Sequence, residues 1–584
     1  MDPIALSWEL LSGFSVGGKP LLELLGVIDS ELTILKAMCR KDLQSSISHF
    51  RRGVEKLNLP KSIENKEYES LPSKTLQSAK ESFIEADREA NKAFHNKSLK
   101  IEEKITACMI CIASSILRHF NDSEAAEKDA MVYLKNLNSL HEVGKLFSFP
   151  QLTFNKNQRD KNIENVLMVN LLLANFISNN TFIKRAVLDW PLIESGVHKF
   201  HPLYFKDIEG IMSSSTPWYE SRFCKDEAHL FVDKEITITN EGEVLIFSGK
   251  SLQKVDSETG KLQPWCKESC EIDDWQVRCM TADNNGVVYV LSGYGNKNTW
   301  NYQLTVFSED GAIQQSTLKF LDNIEARNLF MAVTNDEVVA IAFVEGDQPN
   351  INLCVCYKTG FLFLEPCRII GINNPLVDEL KSLCFSADRQ IAMITYRNPR
   401  EYYRMLFYNM EANLSDCMKF KPSLDEIKEY DQVIYTPLSK CITGYFFNKD
   451  ASKLLIETFS TETKKLQSSL VLMKAGYDLG LFNGSFRIVY HDNGGVALVT
   501  KECIVHLTKN LEENPSQNRV FMDRNEPGLS SATKKPDTNH NVRAYSVKVR
   551  KRSERKNEDS SEQKLEKSFS QGSYFKTLKE LEKS

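Results

Sequence analysis

The 584-residue sequence has no apolar run long enough to cross a bilayer. Its longest, Val166 to Ile177, is interrupted by Asn170 and Asn175. A membrane-spanning helix needs about 20 apolar residues, so a buried helix is the reading. Met1 to Val27 lacks the basic start of a secretory leader and carries Asp2 and Glu9. There is little charge of one sign: the formal net charge is −5, which exerts no global pull toward nucleic acid or an anionic membrane. The 14 cysteines form no spaced framework, and Cys279, Cys384 and Cys503 sit among apolar neighbours. Reduced, buried thiols are therefore expected, in a cytoplasmic protein that makes no membrane contact. The close pairs Cys108/Cys111, Cys266/Cys270 and Cys354/Cys356 lack a second pair at zinc-site spacing, so no metal is expected. G-x-S-x-G, phosphate-loop and dinucleotide fingerprints are also missing, and no cofactor is expected.

What is present divides by periodicity. The first part has helical spacing. Leu32, Leu35, Cys39, Leu43, Ile47, Phe50, Val54 and Leu57 recur at three and four residues, with Asp29 or Ser30 placed to cap. The pattern fits a helical bundle, with a coiled coil as the alternative. Further helices are expected over Ser73–His95, from Ser98 or Leu99 to Phe120, from Asn121 to about Leu140, and from about Arg159 to Ser178. In the fourth, Asn121 and Glu124 resemble a capping box. Alanines at 79, 86, 90, 93, 107 and 113 permit close helix–helix approach.

From about residue 228 strand–turn–strand units replace the helical pattern. Inner strands are expected at Ile236–Thr239, Val277–Thr281, Leu329–Val333, Leu380–Phe385, Val433–Tyr435 and Phe486–Tyr490. Each leads through a polar turn into a second apolar strand; Asp283-Asn284-Asn285-Gly286 is the clearest turn, because Asn-Gly suits a hairpin that needs φ > 0. Units of about 41 to 53 residues suit four-stranded blades set radially. The fold class is thus multidomain α plus all-β: an α-helical domain over 1–189, a connecting segment over 190–227, a six-bladed β-propeller over 228–507, and a disordered basic tail over 508–584. The change of period near residue 200 predicts separate helical and propeller folding units. The sixth unit lacks an outer strand, and His229-Leu230-Phe231-Val232 is the candidate to supply it.

Asp283 to Val290 and Leu304 to Gly311 resemble the NHL class of six-bladed propeller repeats, with its D-x-x-G-x-hydrophobic-Y-V and V-F-S-x-D-G segments. The layout also resembles animal proteins that pair a helical N-terminal region with such a propeller. Some NHL propellers bind RNA, and tripartite-motif relatives carry a RING zinc domain that nothing here resembles.

The candidate contact surface is a loop with Arg397, Arg400, Tyr402, Tyr403 and Arg404, mixing cations with stacking rings. Lys548, Arg550, Lys551, Arg552 and Ser553 form a candidate nuclear-import and phosphorylation segment. Glu345, Asp347, Asp431, Glu457, His491 and His506 are the residues a propeller hydrolase would draw on. The favoured function is a non-catalytic protein-interaction scaffold using propeller loops and a helical docking domain. The alternatives are RNA binding and hydrolysis; self-association through the helices is a further expectation.

Overall fold

The computed structural model describes residues 15–16, 19–20, 40–57, 73–119, 122–148, 156–181, 184–204, 220–222 and 234–508, the last with gaps at 249–250, 257–258, 267–275, 297–298, 347–349, 370–377, 399–400, 426, 449–452, 474–485 and 501–502. The described helices are α1 (Lys41–Lys56), α2 (Ser73–His95), α3 (Ile101–Arg118), α4 (Ser123–Asn138), α5 (His141–Phe147) and α6 (Lys156–Asn180). The spacing read from Leu43, Ile47, Phe50 and Val54 is the buried face of α1. Gly53 lets α2 approach closely, since a Cβ there would lie 2.6 Å from the Phe83 ring. All six of the alanines singled out in the sequence are buried. Helix α3 is buried along nearly its whole length and forms the centre of the array. The capping residue of α4 is Asp122, not Asn121: its carboxylate accepts from Ala125 N at 2.9 Å. Helix α5 was not anticipated; seven residues are too few for a periodic signal.

Six sheets follow, each with four sequential antiparallel strands or their equivalent. Their inner strands are Ile236–Ile238, Gln276–Ala282, Ala326–Val333, Asp378–Phe385, Gln432–Thr436 and Arg487–Tyr490, here taken as blades 1 to 6. The second strands run nearly uninterruptedly apolar, as in Val338–Phe343, because both faces pack against neighbouring blades. Pro264 and Pro366 interrupt the outer strands of blades 1 and 3, which blunts those exposed edges.

Blade 6 supplies three strands, and its fourth comes from before the ring. Glu220–Arg222 pairs antiparallel with Cys503–Thr508, Ser221 facing Ile504. Closure by an upstream strand is thus as expected, but the strand is Glu220–Arg222; His229–Val232 lies outside the described residues. A second upstream element extends blade 5. The hairpin Ile193–Ser195/His198–Phe200 lies parallel to Lys465–Met473, making that sheet six-stranded.

The helices and the ring are not separate units. Helical side chains share one hydrophobic cluster with Ile434, Tyr445, Phe447, Leu454, Ile456 and Leu472 of blade 5 and with Ile488, Leu498 and Val505 of blade 6. The described helices and blades form one compact unit accordingly. Within this shared seam a buried polar joint ties α4 and α6 to the segment that leads into the blade 5 hairpin. Asn170, the residue that breaks the longest apolar run, accepts at Oδ1 from Asn138 Nδ2 at 2.9 Å and from Trp190 Nε1 at 3.0 Å. Asn138 also donates to the Pro191 carbonyl at 2.7 Å.

His201 lies in the same seam. Its Nδ1 accepts from Leu203 N at 3.3 Å and its Nε2 faces the Val187 carbonyl at 2.7 Å, which requires the neutral Nε2–H form. Burial lowers its pKa to about 4, against 6.5 for an ordinary histidine. As pH falls below 6.5 the unfolded chain takes up this proton and the folded chain does not. The His201 contribution to stability is therefore lost between pH 6.5 and about 4. The urea midpoint should fall across that window, and His201→Gln should flatten the slope. An unchanged slope in the variant would remove His201 as its source.

Candidate binding site at the mouth of the propeller channel

All six blades meet at one mouth of the channel. Glu235 just before the first inner strand, Arg278 in the second, Ala326–Phe330 in the third, Glu379–Lys381 in the fourth, Gln432 in the fifth and Arg487 in the sixth line an open cavity of about 690 Å³. Three consecutive inner strands are irregular at these residues. The ladder slips between Val277 and Cys279, between Arg327 and Phe330, and between Leu380 and Ser382. The residues displaced from regular pairing are Arg278, Asn328 with Leu329, and Lys381. Bulges bend a strand and re-aim its side chains, commonly at binding sites. Asn328 adopts φ 47°, a left-handed conformation that asparagine tolerates better than most residues.

The charges at the mouth are mostly paired. Arg487 meets Glu235 at 3.2 Å and also donates to the Lys234 carbonyl. Arg327 meets Glu325 at 2.8 Å. Lys381 bridges Glu379 at 2.8 Å and Glu429 at 2.5 Å. Burial opposes the Lys381 charge, but these two carboxylates outweigh it and hold its pKa above the ordinary lysine value. Burial raises the Glu235 carboxyl, and Arg487 pulls it back only in part. Arg278 is arranged differently. Its guanidinium lies 4.7 Å from the centre of the Trp300 ring. Trp300 in turn packs over Gly295, where a Cβ would come within 2.6 Å of the indole, and lies parallel to Tyr302.

The opposite mouth carries the turns that leave the inner strands, and these are tied sideways. Asn493 Nδ2 donates to the Asn240 carbonyl at 3.1 Å, and Asn240 Nδ2 to the Asn284 carbonyl at 3.0 Å. Asn284 N donates to Asn335 Oδ1 at 3.3 Å, and Arg389 meets Asp336 at 2.5 Å. The asparagines read from the sequence as turn formers thus also link blade 6 to 1, 1 to 2 and 2 to 3, with an ion pair linking 3 to 4. Asp283 closes its own turn, accepting from Asn285 N at 2.8 Å and Val287 N at 2.9 Å.

The residues proposed from sequence fall elsewhere. Arg397 ends one strand and Tyr402 begins the next, the two facing each other in the ladder, so Tyr402, Tyr403 and Arg404 belong to a strand. Tyr402 and Arg404 are buried, and Tyr403 is wholly so, packed against Tyr396, Phe420 and Tyr430 with its hydroxyl accepting from Tyr430 N at 2.7 Å. Arg397 donates to the Tyr402 hydroxyl at 3.1 Å. Arg400, Asp347 and the segment Lys548, Arg550, Lys551, Arg552, Ser553 lie outside the described residues. Glu345, Asp431 and Glu457 do not line the channel-mouth cavity. Asp431 accepts from Phe447 N at 2.7 Å, and Glu457 is buried against Ser423 and Tyr430. His491 faces the Asp283 carbonyl at 3.1 Å, and burial lowers its pKa. His506 is buried in the third strand of blade 6. Among the described residues no group of three or more His, Cys, Asp or Glu is placed to hold a metal ion. No described helix is long and apolar enough to cross a membrane. The cysteines described are free thiols; Cys108, Cys111, Cys354 and Cys356 pack in the cores, and burial raises their pKa values.

The mouth residues carried one sequence signal that was passed over: a cation directly after an apolar residue within an inner strand, Arg278 after Val277 and Lys381 after Leu380.

No protein-family model and no curated protein matches the chain. Among solved structures it is similar to a chain of the mitotic checkpoint complex, at 10% identity and a TM-score of 0.31, covering 47% of this chain and 88% of that one. It is also similar to hydrazine synthase of Kuenenia stuttgartiensis, at 11% identity and a TM-score of 0.30, covering 46% and 94%. Regucalcin of Agrobacterium tumefaciens, a calcium-binding protein, aligns at 13% identity and a TM-score of 0.22, covering 39% and 67%. At these values no activity passes from them to this chain. The class is set by the strands themselves: a helical region joined to a six-bladed β-propeller.

Proposed function

We propose that this protein is a non-catalytic interaction scaffold whose propeller, of NHL-like type, takes a partner protein's segment at the charged channel mouth. The observation that carries this reading is the run of three bulged inner strands at Arg278, Asn328 and Lys381, which departs from regular pairing only where the mouth is built. Propellers commonly present such surfaces to partners. The role of the helices shifts with the fold. Their apolar faces pack on blades 5 and 6, and Ile84 and Val132 are the large apolar side chains left exposed among the described helical residues. The helical region therefore serves first to brace the ring, and docking or self-association through it is secondary. A cytoplasmic location, with import through Lys548–Lys556, belongs to the same reading. RNA binding through the Arg397–Arg404 stretch loses its physical basis with Tyr403 and Arg404 buried.

Partner sets recovered by crosslinking and mass spectrometry should differ between the native protein and an Arg327→Glu, Lys381→Ala variant, with partners lost from the latter. Phe363→Ser, on the outer strand of blade 3, should leave them in place. Identical sets from all three proteins would rule out the mouth, and association that nuclease abolishes would establish the RNA reading instead.

A further inference from the structure

We infer that Arg278, laid on Trp300 in the channel mouth, is the receptor for a single carboxylate, presented by an acidic side chain of the partner's segment. This rests on the interaction reading above and specifies the chemistry of the segment. Four cations of the cavity lining, Arg278, Arg327, Lys381 and Arg487, face three carboxylates, Glu235, Glu325 and Glu379. Three of the cations have ion-pair partners. Lys381 has a second carboxylate in Glu429, so four cations meet four carboxylates, yet among the described residues Arg278 has none within ion-pair distance.

Two buried donors of this pair, Arg278 Nε and Trp300 Nε1, have no acceptor among the described residues. Buried donors are rarely left so unless a ligand or water supplies the oxygen. A carboxylate offers two oxygens matched to the guanidinium fork, and the indole face lies under the guanidinium, 4.7 Å from its carbon. Gly293 and Gly295 lie opposite Tyr302 and Trp300 in the ladder, leaving room for both rings, so the platform is built by backbone as well as side chains.

The lining also selects against other anions. Arg278 offers one unpaired cation, and the other three already have carboxylate partners. A nucleic-acid strand would bring several phosphates against Glu235, Glu325 and Glu379. A cavity of about 690 Å³ has room for several peptide side chains. A protein segment with one Asp or Glu, and cationic or neutral neighbours facing the paired glutamates, fits the mouth.

The test uses the full-length protein and a display library of random twelve-residue peptides. Selected peptides should share one Asp or Glu at a fixed position. Arg278→Gln should weaken their binding by roughly tenfold to a hundredfold, as loss of a bidentate charged contact does, without a change in melting temperature. Arg278→Lys should restore little, because the ammonium lacks the fork. Trp300→Phe, which keeps a ring and removes the donor, should lie between. Peptides without a fixed acidic position, or full binding by Arg278→Gln, would overturn the carboxylate site. Such peptides that still lose binding to the Arg327→Glu, Lys381→Ala variant leave the mouth itself as the binding surface. Peptides indifferent to every mouth substitution, or a selection that enriches none, overturn both.

Discussion

A chain starting at residue 228 is expected to be insoluble, although it retains every residue of the six inner strands. It lacks Glu220–Arg222, so Cys503–Thr508 becomes an unpaired edge, and it lacks the hairpin that covers Lys465–Met473. Two bare edges on one ring are templates for intermolecular pairing. It also uncovers the apolar faces of blades 5 and 6 that the helices bury, including Phe447, Leu454, Ile456, Leu472, Leu498 and Val505. Each such side chain is worth roughly 1.5–3 kcal/mol when buried, so several together exceed the net stability of an ordinary domain, about 5–15 kcal/mol. A chain starting at residue 184 keeps both upstream strands and should be intermediate. Soluble yield and melting temperature of the two truncations beside the intact protein measure this. A 228 chain that melts like the intact protein would mean that the shared core contributes nothing.

The second large effect is expected at Glu457. Its side chain is wholly buried in blade 5 and accepts from Ser423 N at 2.9 Å, from the Ser423 hydroxyl and from the Tyr430 hydroxyl at 2.5 Å. The Tyr430 ring lies over Gly444, where a Cβ would come within 2.7 Å, and that glycine pairs across the ladder with Glu457. Glu457→Ala leaves these donors without acceptors and opens a cavity between blades 4 and 5. The cost should be about 3 kcal/mol or more, read as a lower urea midpoint. Glu457→Gln keeps most of the shape and one acceptor oxygen, and should lose distinctly less. Equal losses would show that packing at Gly444 and Tyr430 is not coupled to the hydrogen bonds.

These two sites mark what a single sequence conveys. The inner and second strands were legible because their apolar, β-branched runs are bounded by turns such as Asp283–Gly286. Glu220–Arg222 was not, because three polar residues carry no pattern of their own and their strand exists only through a partner nearly three hundred residues away. Tyr402, Tyr403 and Arg404 lie buried in a strand and were read as part of a contact loop for a related reason. Polar tips look exposed in a sequence, whereas Tyr403 satisfies its hydroxyl on the Tyr430 backbone in a pocket of other rings. Arg278 and Lys381 were visible as cations within the inner strands, but the bulges that present them depend on register, which one strand alone does not disclose.

The shared core also imposes an order of events on the ribosome. Helix α6 ends at Asn180 and blade 5 begins at Gln432, so about 250 residues must be added before the helices meet the surface they cover. At roughly 5–20 residues per second that interval lasts on the order of 10 to 50 s. Throughout it the nascent helices hold out an apolar face with nothing native to receive it. Soluble yield is therefore expected to rise when a holding chaperone is supplied during synthesis, independently of the stability of the finished ring.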